Sequence, residues 1–106
     1  MDTLQIAYEI LNRLEHDDGT LRYKNQLVSP GALNVSPEKY INVMTDLQKK
    51  GYVDGFELKR DIWGDVYYDQ KRLHITIDGC QYLKENSAFA KLRGLLSDVV
   101  AVTALK

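Results

Sequence analysis

Residues 36–53 have the sequence SPEKYINVMTDLQKKGYV, which predicts one complete helix that leads into a strand. Ser36 is suited to cap the first free N–H groups, and Pro37 at the first helical position has no N–H in need of a partner. Lys49 and Lys50 lie at the negative end of the helix dipole. Gly51 can adopt the left-handed conformation that ends a helix. Both ends of this helix are therefore marked, and the rest of the chain is arranged around it.

A second, shorter helix is predicted directly before this one. Ser29 followed by Pro30 repeats the same kind of start, which predicts a helix over about Pro30–Leu33. Asn34 then turns the chain toward Ser36. Two helices with so short a link are typical of a helix-turn-helix. The preceding residues 21–28 fit either a short edge strand or an extended connection.

Residues 3–16 are predicted to form an amphipathic helix, capped by Thr3 or Asp2. Ile6 and Ile10 widen its apolar arc, so they either flank the same core or form a second contact surface. On a helical period, one face is shared by Leu4, Ala7, Tyr8, Leu11 and Leu14.

Residues 52–61 and 66–76 are predicted to form an antiparallel hairpin with its turn at Trp63-Gly64-Asp65 and a bulge or kink near Asp69. A helix that runs into a strand, a turn and a second strand is the central part of a winged helix-turn-helix domain, in which the hairpin is the wing. The sequence therefore predicts an α+β fold of this kind.

Two additional C-terminal helices are predicted after the wing. The first is capped by Thr76 or Asp78 and is interrupted at Asn86-Ser87, and the second covers about residues 88–104. Its apolar arc spans about 160° at about 100° per residue, which is wide for one packing surface. The helix either packs only within its own domain or also forms a homodimer, and the candidate interface residues are Phe89, Leu92, Leu95, Leu96, Val99, Val100 and Val102. We thus expect one domain over 1–106, with a core over 1–77 and a possible dimerisation element over 78–106.

Two blocks of sequence carry a resemblance to a known family. Residues 47–56 read LQKKGYVDGF and residues 75–87 read ITIDGCQYLKENS. The pattern of Gly-Tyr-aliphatic followed by Thr-x-x-Gly-x-x-Tyr-Leu-x-Glu-Asn resembles the YjcQ family of small bacterial and phage proteins. The Thr-x-x-Gly-x-x-Tyr-Leu core of the second block is also common at the wing-to-helix junction of many winged-helix regulators. The resemblance implies a winged-helix fold without catalytic residues, and by analogy of fold alone it implies DNA binding in phage or mobile-element regulation.

The charge pattern gives mixed support to binding of double-stranded DNA. Between residues 36 and 72, seven Lys and Arg balance seven Asp and Glu, although phosphate contacts supply most of the affinity of a DNA-binding protein. Lys59-Arg60 and Lys71-Arg72 are expected to lie across the hairpin from each other as a basic cluster. The candidate nucleic-acid contacts are Lys39, Asn42, Thr45, Lys49, Lys59, Arg60, Lys71 and Arg72. The alternative is a protein–protein interaction adaptor that keeps the fold without binding DNA, and Trp63 and Tyr67-Tyr68 form its partner surface if they are exposed rather than packed.

Composition argues against other classes of function. The net charge of -1 and the pI of about 6.1 do not by themselves predict a nucleic-acid or membrane-surface protein. Cys80 is the single cysteine, and His16 and His74 are isolated, so we expect no metal, no cofactor, no small-molecule ligand and no enzymatic activity. No apolar run approaches the roughly 20 residues that span a bilayer, and the N-terminus lacks signal-peptide features. We therefore expect a cytoplasmic protein.

Overall fold

The computed structural model describes residues 2–17 and 26–94, with side chains up to residue 86. Within these ranges the fold is α+β, with two antiparallel pairings: β1 with β4, and β2 with β3. The predicted alternatives for residues 21–28 fall largely outside the described residues. The elements are α1 (Thr3–Glu15), α2 (Pro30–Leu33), α3 (Pro37–Lys49), β1 (Val53–Asp54), β2 (Glu57–Arg60), β3 (Val66–Asp69), β4 (His74–Ile75) and α4 (Ile77–Gly94).

The pair α2 and α3 begins and ends at the residues that the sequence marked. The Ser29 Oγ atom accepts a hydrogen bond from the Ala32 N–H at 3.0 Å, and the Ser36 Oγ atom accepts one from the Lys39 N–H at 3.1 Å. Asn34 has a left-handed backbone with φ 56°, which turns the chain between the two helices. Local capping chemistry therefore sets the ends of the two predicted helices and the turn between them.

Helix α1 is closed by a capping box in which Asp2 and Gln5 each accept from the other's backbone N–H at 2.8 Å. The buried face of α1 differs from the predicted face in the first turn of the helix. Leu4 is 54% exposed, whereas Ile6 and Ile10 are fully buried. The face is therefore rotated toward the two isoleucines, which belong to the core rather than to a second contact surface.

The core lies between α1, α3 and the base of the hairpin. Four apolar residues of α3 that share one face on the helical period are buried, namely Tyr40, Val43, Met44 and Leu47. They pack with residues from α1 and with apolar residues of the β segments. Burial of this stripe holds α3 with its opposite, polar side toward solvent.

The hairpin consists of two short ladders separated by a break. Asp54 pairs with His74 and Glu57 pairs with Asp69, so two residues on one strand face the four residues 70–73 on the other. The break confirms the predicted irregularity near Asp69. At Gly55, which has φ 91°, a Cβ atom would lie 2.2 Å from the carbonyl oxygen of Arg72. Only glycine allows the two strands to approach so closely at this point.

Helix α3 supplies the hydrogen bonds that the ladders omit at this break. The side-chain amide of Gln48 donates from Nε2 to the Phe56 carbonyl oxygen at 2.8 Å and accepts from the Phe56 N–H at 2.9 Å. Phe56 lies in neither ladder, and the Gln48 amide thereby satisfies both its backbone N–H and its backbone carbonyl oxygen. The amide of Gln48 thus replaces a strand partner and joins the hairpin to α3.

The Thr-x-x-Gly motif forms the junction between β4 and α4. The Thr76 hydroxyl accepts a hydrogen bond from the Gly79 N–H at 3.1 Å and donates one to the Gly51 carbonyl oxygen. The Thr76 N–H also donates to the Tyr52 carbonyl oxygen at 3.0 Å. Thr76 is therefore the cap of α4 and ties this helix to the end of α3.

The Tyr-Leu part of the same motif completes this junction. Tyr82 packs its ring on that of Tyr52 with centroids 4.9 Å apart, and Leu83 is only 7% exposed. These residues of the pattern thus have packing or capping roles. The family-like block therefore forms a structural junction between β4, α4 and the end of α3.

Helix α4 runs without interruption from Ile77 to Gly94, so the prediction of two C-terminal helices divided at Asn86-Ser87 is wrong. The Asn86 side chain donates to the Tyr82 carbonyl oxygen at 2.8 Å, a bond that helical geometry allows, and this contact lets Asn86 remain within the helix. The side chains of Phe89 and Leu92 lie outside the description. Five further residues lie wholly outside the described ranges, namely Leu95, Leu96, Val99, Val100 and Val102. Dimerisation through these residues remains a prediction.

Candidate nucleic-acid interface

The polar side of α3 is open to solvent among the described residues. Glu38, Asn42, Asp46 and Lys49 are exposed along one side of the helix. Asn42 presents an amide that can pair with a base edge, and Lys49 presents a cation suited to a phosphate. The two carboxylates oppose the field of DNA. This side therefore presents an exposed polar surface of mixed charge.

Two other predicted contacts of α3 are placed differently. The Lys39 ammonium donates to the Thr3 hydroxyl at 2.6 Å and thereby joins α3 to α1. The Thr45 hydroxyl oxygen is buried, with no hydrogen-bond partner among the described residues. Because this oxygen is out of reach of solvent, it is also out of reach of a base edge. Asn42 and Lys49 are the members of the predicted set on α3 that remain available.

The basic residues near the break of the hairpin share one groove. Lys59, Lys71 and Arg72 line a depression of about 320 Å³ together with Gly55, Glu57 and Asp69, here called the stem groove. The Lys59 Nζ atom lies 3.5 Å from an Asp69 oxygen and 3.7 Å from a Glu57 oxygen. Three cations therefore face two carboxylates, and the stem groove has a formal charge of only +1.

Direct pairing of Lys59-Arg60 with Lys71-Arg72 across the hairpin does not occur. Lys59 lies opposite Tyr67, and Arg60 lies opposite Val66. The break places Lys71 and Arg72 outside the ladder that contains Lys59 and Arg60. Arg60 instead donates to the Gly64 carbonyl oxygen at 3.2 Å, at the distal turn. The predicted cluster therefore contains Lys59, Lys71 and Arg72 but not Arg60.

Asp69 keeps a negative charge in the stem groove. The backbone N–H of Lys71 donates to Asp69 Oδ1 at 3.0 Å, which lowers the pKa of this carboxyl below its ordinary value. Partial burial acts in the opposite direction, and Lys59 adds a further lowering of the pKa. A lowered pKa favours the folded state above the pKa of the unfolded chain, and this contribution is lost as the pH falls through the lowered value.

Replacing Lys59 with Ala is expected to raise the pKa of Asp69 only part of the way to its ordinary value. The reason is that the main cause, the Lys71 backbone N–H, remains in the variant. Titration of the carboxyl carbon by NMR measures the change. Lys84→Ala, which removes a cation from α4, serves as the control and should leave the Asp69 pKa unaltered. A complete return to the ordinary pKa in Lys59→Ala would show that the ammonium is the dominant cause instead.

A buried polar network supports the stem from beneath. The Tyr40 hydroxyl donates to Gln70 Oε1 at 2.7 Å, and Gln70 Nε2 donates to the Val28 carbonyl oxygen at 2.8 Å. Gln70 is only 4% exposed, and burial raises the pKa of Tyr40 well above its ordinary value. The network joins α3, the hairpin and the segment before α2. Gln70 stands in a polar run of residues, so its sequence context offers no sign of this role.

The distal part of the hairpin exposes apolar side chains. Ile62 is 87% exposed and Trp63 is 79% exposed at the turn, while Leu58, Val66 and Tyr67 are about half exposed. Tyr68 instead packs on the rings of Tyr40 and Phe56. Trp63 and Tyr67 are therefore exposed, as a partner surface at this place requires, whereas Tyr68 is packed within the fold.

The remaining chemically active side chains have local partners. The Cys80 thiol donates to a Glu15 carboxylate oxygen, which raises the pKa of the thiol and disfavours the reactive thiolate. His16 and His74 each place Nδ1 near a backbone carbonyl oxygen, at 2.8 and 2.9 Å. Across residues 2–17 and 26–94, no group of three or more metal-binding side chains comes together. No helix in the same ranges is long and apolar enough to cross a membrane.

Comparison with known proteins identifies the family. The family model described as YjcQ protein matches residues 8–99, which is most of the chain. No curated protein and no solved structure shows significant similarity to this chain. The match includes α2, α3, the hairpin and the Thr-x-x-Gly junction. The chain therefore belongs to the YjcQ protein family.

Proposed function

We propose that this protein is a winged helix-turn-helix domain that binds double-stranded DNA and acts as a small regulator in the cytoplasm. The order of α2, a tight turn, α3 and an antiparallel hairpin supports this assignment of the fold. The observation that carries the proposal is the exposure of Glu38, Asn42, Asp46 and Lys49 on a helix whose other side is fixed in the core. In such domains a helix of this kind lies in the major groove. A role in a phage or mobile element rests on the family resemblance.

The stem groove supplies the phosphate contacts in this proposal. Lys71 and Arg72 are exposed and follow the distal ladder, where a wing would meet the DNA backbone. Glu57 and Asp69 offset part of their charge. Since each neutralised phosphate releases counterions, a site with few cations binds weakly and with a shallow dependence on salt. We therefore expect measurable binding mainly at low ionic strength.

Arg72→Ala is expected to weaken DNA binding uniformly across sequences and to reduce the salt slope by about one. Glu57→Gln is expected to strengthen binding, since it removes a negative charge from the same groove with little change of shape. Fluorescence anisotropy of a labelled duplex of arbitrary sequence, titrated at several salt concentrations, measures both variants. Lys84→Ala removes an equal positive charge from α4 and is the matched control, for which we expect an unaltered slope.

The competing candidate is an adaptor that keeps this fold without binding DNA. The observation in its favour is that Lys59 lies within ion-pair distance of both Glu57 and Asp69, so part of the basic charge is already neutralised. The same titration decides between the two. Absence of salt-dependent binding by the unmodified protein at the lowest ionic strength contradicts the DNA proposal and favours the adaptor.

A further inference from the structure

The turn at the end of the hairpin is an ordered element that carries two bulky apolar side chains. Asp61 Oδ1 accepts hydrogen bonds from the N–H groups of Trp63 and Asp65, both at 2.9 Å. The Gly64 N–H closes the turn on the Asp61 carbonyl oxygen at 3.1 Å. Ile62 and Trp63, here called the tip, therefore project from a preorganised backbone. Preorganisation lowers the entropic cost of inserting such side chains into a partner.

A second feature lies where α1, the C-terminal half of α3 and α4 meet. An apolar groove of about 260 Å³ is lined by Leu4, Ala7, Leu47 and the ring of Tyr82, among others. Leu4 is 54% exposed at its opening. Asp46 of α3 and Lys50, the residue directly after this helix, also line the groove and are exposed. The unusual exposure of Leu4 is thus explained if another molecule covers it.

We propose that the apolar groove of one copy of this protein receives the tip of a second copy. A cavity of about 150 Å³ accommodates a benzene molecule, so the groove is large enough for the indole ring of Trp63. Trp is also among the residue types most enriched as energetic anchors of protein interfaces. The contact joins two different surfaces of the same chain and is therefore heterologous.

Charge complementarity favours a second copy over an unrelated partner. Asp61 and Asp65 flank the tip, and Lys50 lines the groove. Arg60 lies at the base of the turn, and Asp46 lines the groove beside Lys50. The groove thus offers one cation to the two carboxylates near the tip and one carboxylate to Arg60. The inference goes beyond DNA binding, because neither the tip nor the groove includes the cations of the stem groove, although Asp46 lies both at the groove and on the exposed polar side of α3.

Analytical ultracentrifugation of the full chain over a range of concentrations tests the contact. Trp63→Ala and Leu4→Glu are each expected to weaken self-association at least about tenfold. Both side chains are exposed, and a glutamate in the first turn of α1 suits the helix dipole, so both variants should keep the thermal melting curve of the unmodified protein. Ile77→Ala removes a side chain that is 85% exposed elsewhere and is the matched control, with no change expected.

Mixing the two variants distinguishes this contact from other modes of association. Trp63→Ala retains an intact groove and Leu4→Glu retains an intact tip, so an equimolar mixture is expected to form a 1:1 complex that neither variant forms alone. Three results would overturn the proposal. They are a monomeric unmodified protein at the highest concentration, an association of Trp63→Ala equal to that of the unmodified protein, or a mixture that remains as dissociated as its components.

Discussion

Gly79→Ala is expected to destabilise the protein by about 2–4 kcal/mol, a large part of the roughly 5–15 kcal/mol that stabilises a typical domain. A Cβ atom at this position would lie 2.2 Å from the Tyr52 carbonyl oxygen and 2.6 Å from the Ile75 side chain. That carbonyl oxygen accepts the Thr76 N–H, so it cannot move away without loss of this hydrogen bond. Overpacking costs about 1–3 kcal/mol and the hydrogen bond adds about 1 kcal/mol.

Urea denaturation followed by circular dichroism measures the effect of Gly79→Ala. Gly31→Ala in α2 is the matched control, because a Cβ atom added to Gly31 would have no neighbouring atom within 4 Å and the φ angle of Gly31 is not positive. The control should be neutral or slightly stabilising, since Ala favours a helix over Gly by about 1 kcal/mol. An equal midpoint for Gly79→Ala and the unmodified protein would mean that α4 can shift away from Tyr52 at little cost.

Gln70→Ala is expected to cost about 2–4 kcal/mol. The change removes the amide that now bonds to the Tyr40 hydroxyl and to the Val28 carbonyl oxygen, and leaves these two groups with their longer mutual contact of 3.3 Å. Loss of the shorter hydrogen bonds to these buried groups costs about 1–3 kcal/mol, and the missing side-chain atoms add a cavity. The neighbouring exposed residue supplies the control: Lys71→Ala should alter stability by no more than about 0.5 kcal/mol.

A double-mutant cycle with Tyr40→Phe separates the network from the cavity. In the unmodified protein, loss of the Tyr40 hydroxyl also deprives the Gln70 amide oxygen of this donor. In Gln70→Ala, the Tyr40 hydroxyl has already lost the Gln70 amide oxygen as its acceptor. Removal of this hydroxyl by Tyr40→Phe should therefore cost less stability in that background. Additive costs in the cycle would show that the two side chains are not energetically coupled.

The elements that local chemistry determines could be predicted from the sequence. Ser29, Ser36 and Thr76 each cap the helix that follows, and Gly51 adopts the expected positive φ of 78° after α3. The inward side of α3 also follows from its 3.6-residue period. These features depend on residues within one or two turns of each other, which is the range over which sequence patterns are informative.

The features that escaped prediction depend on contacts between distant segments. The Gln48 amide and Gln70 look like ordinary surface residues in the sequence, but each pairs with backbone groups of another segment. The turn at residues 61–65 pairs Arg60 with Val66 and leaves Lys71 and Arg72 beyond this ladder, and no spacing in the sequence revealed that register. Asn86 was expected to end a helix, yet its bond to the Tyr82 carbonyl oxygen is compatible with helix. Register and tertiary partners therefore decided the composition of the stem groove.

The two hydrogen bonds between the Gln48 amide and Phe56 have a mechanical consequence. They fix the last turn of α3 to the root of the hairpin at two points. Because these bonds join the two elements directly, a displacement of the hairpin root is expected to move the last turn of α3 with it.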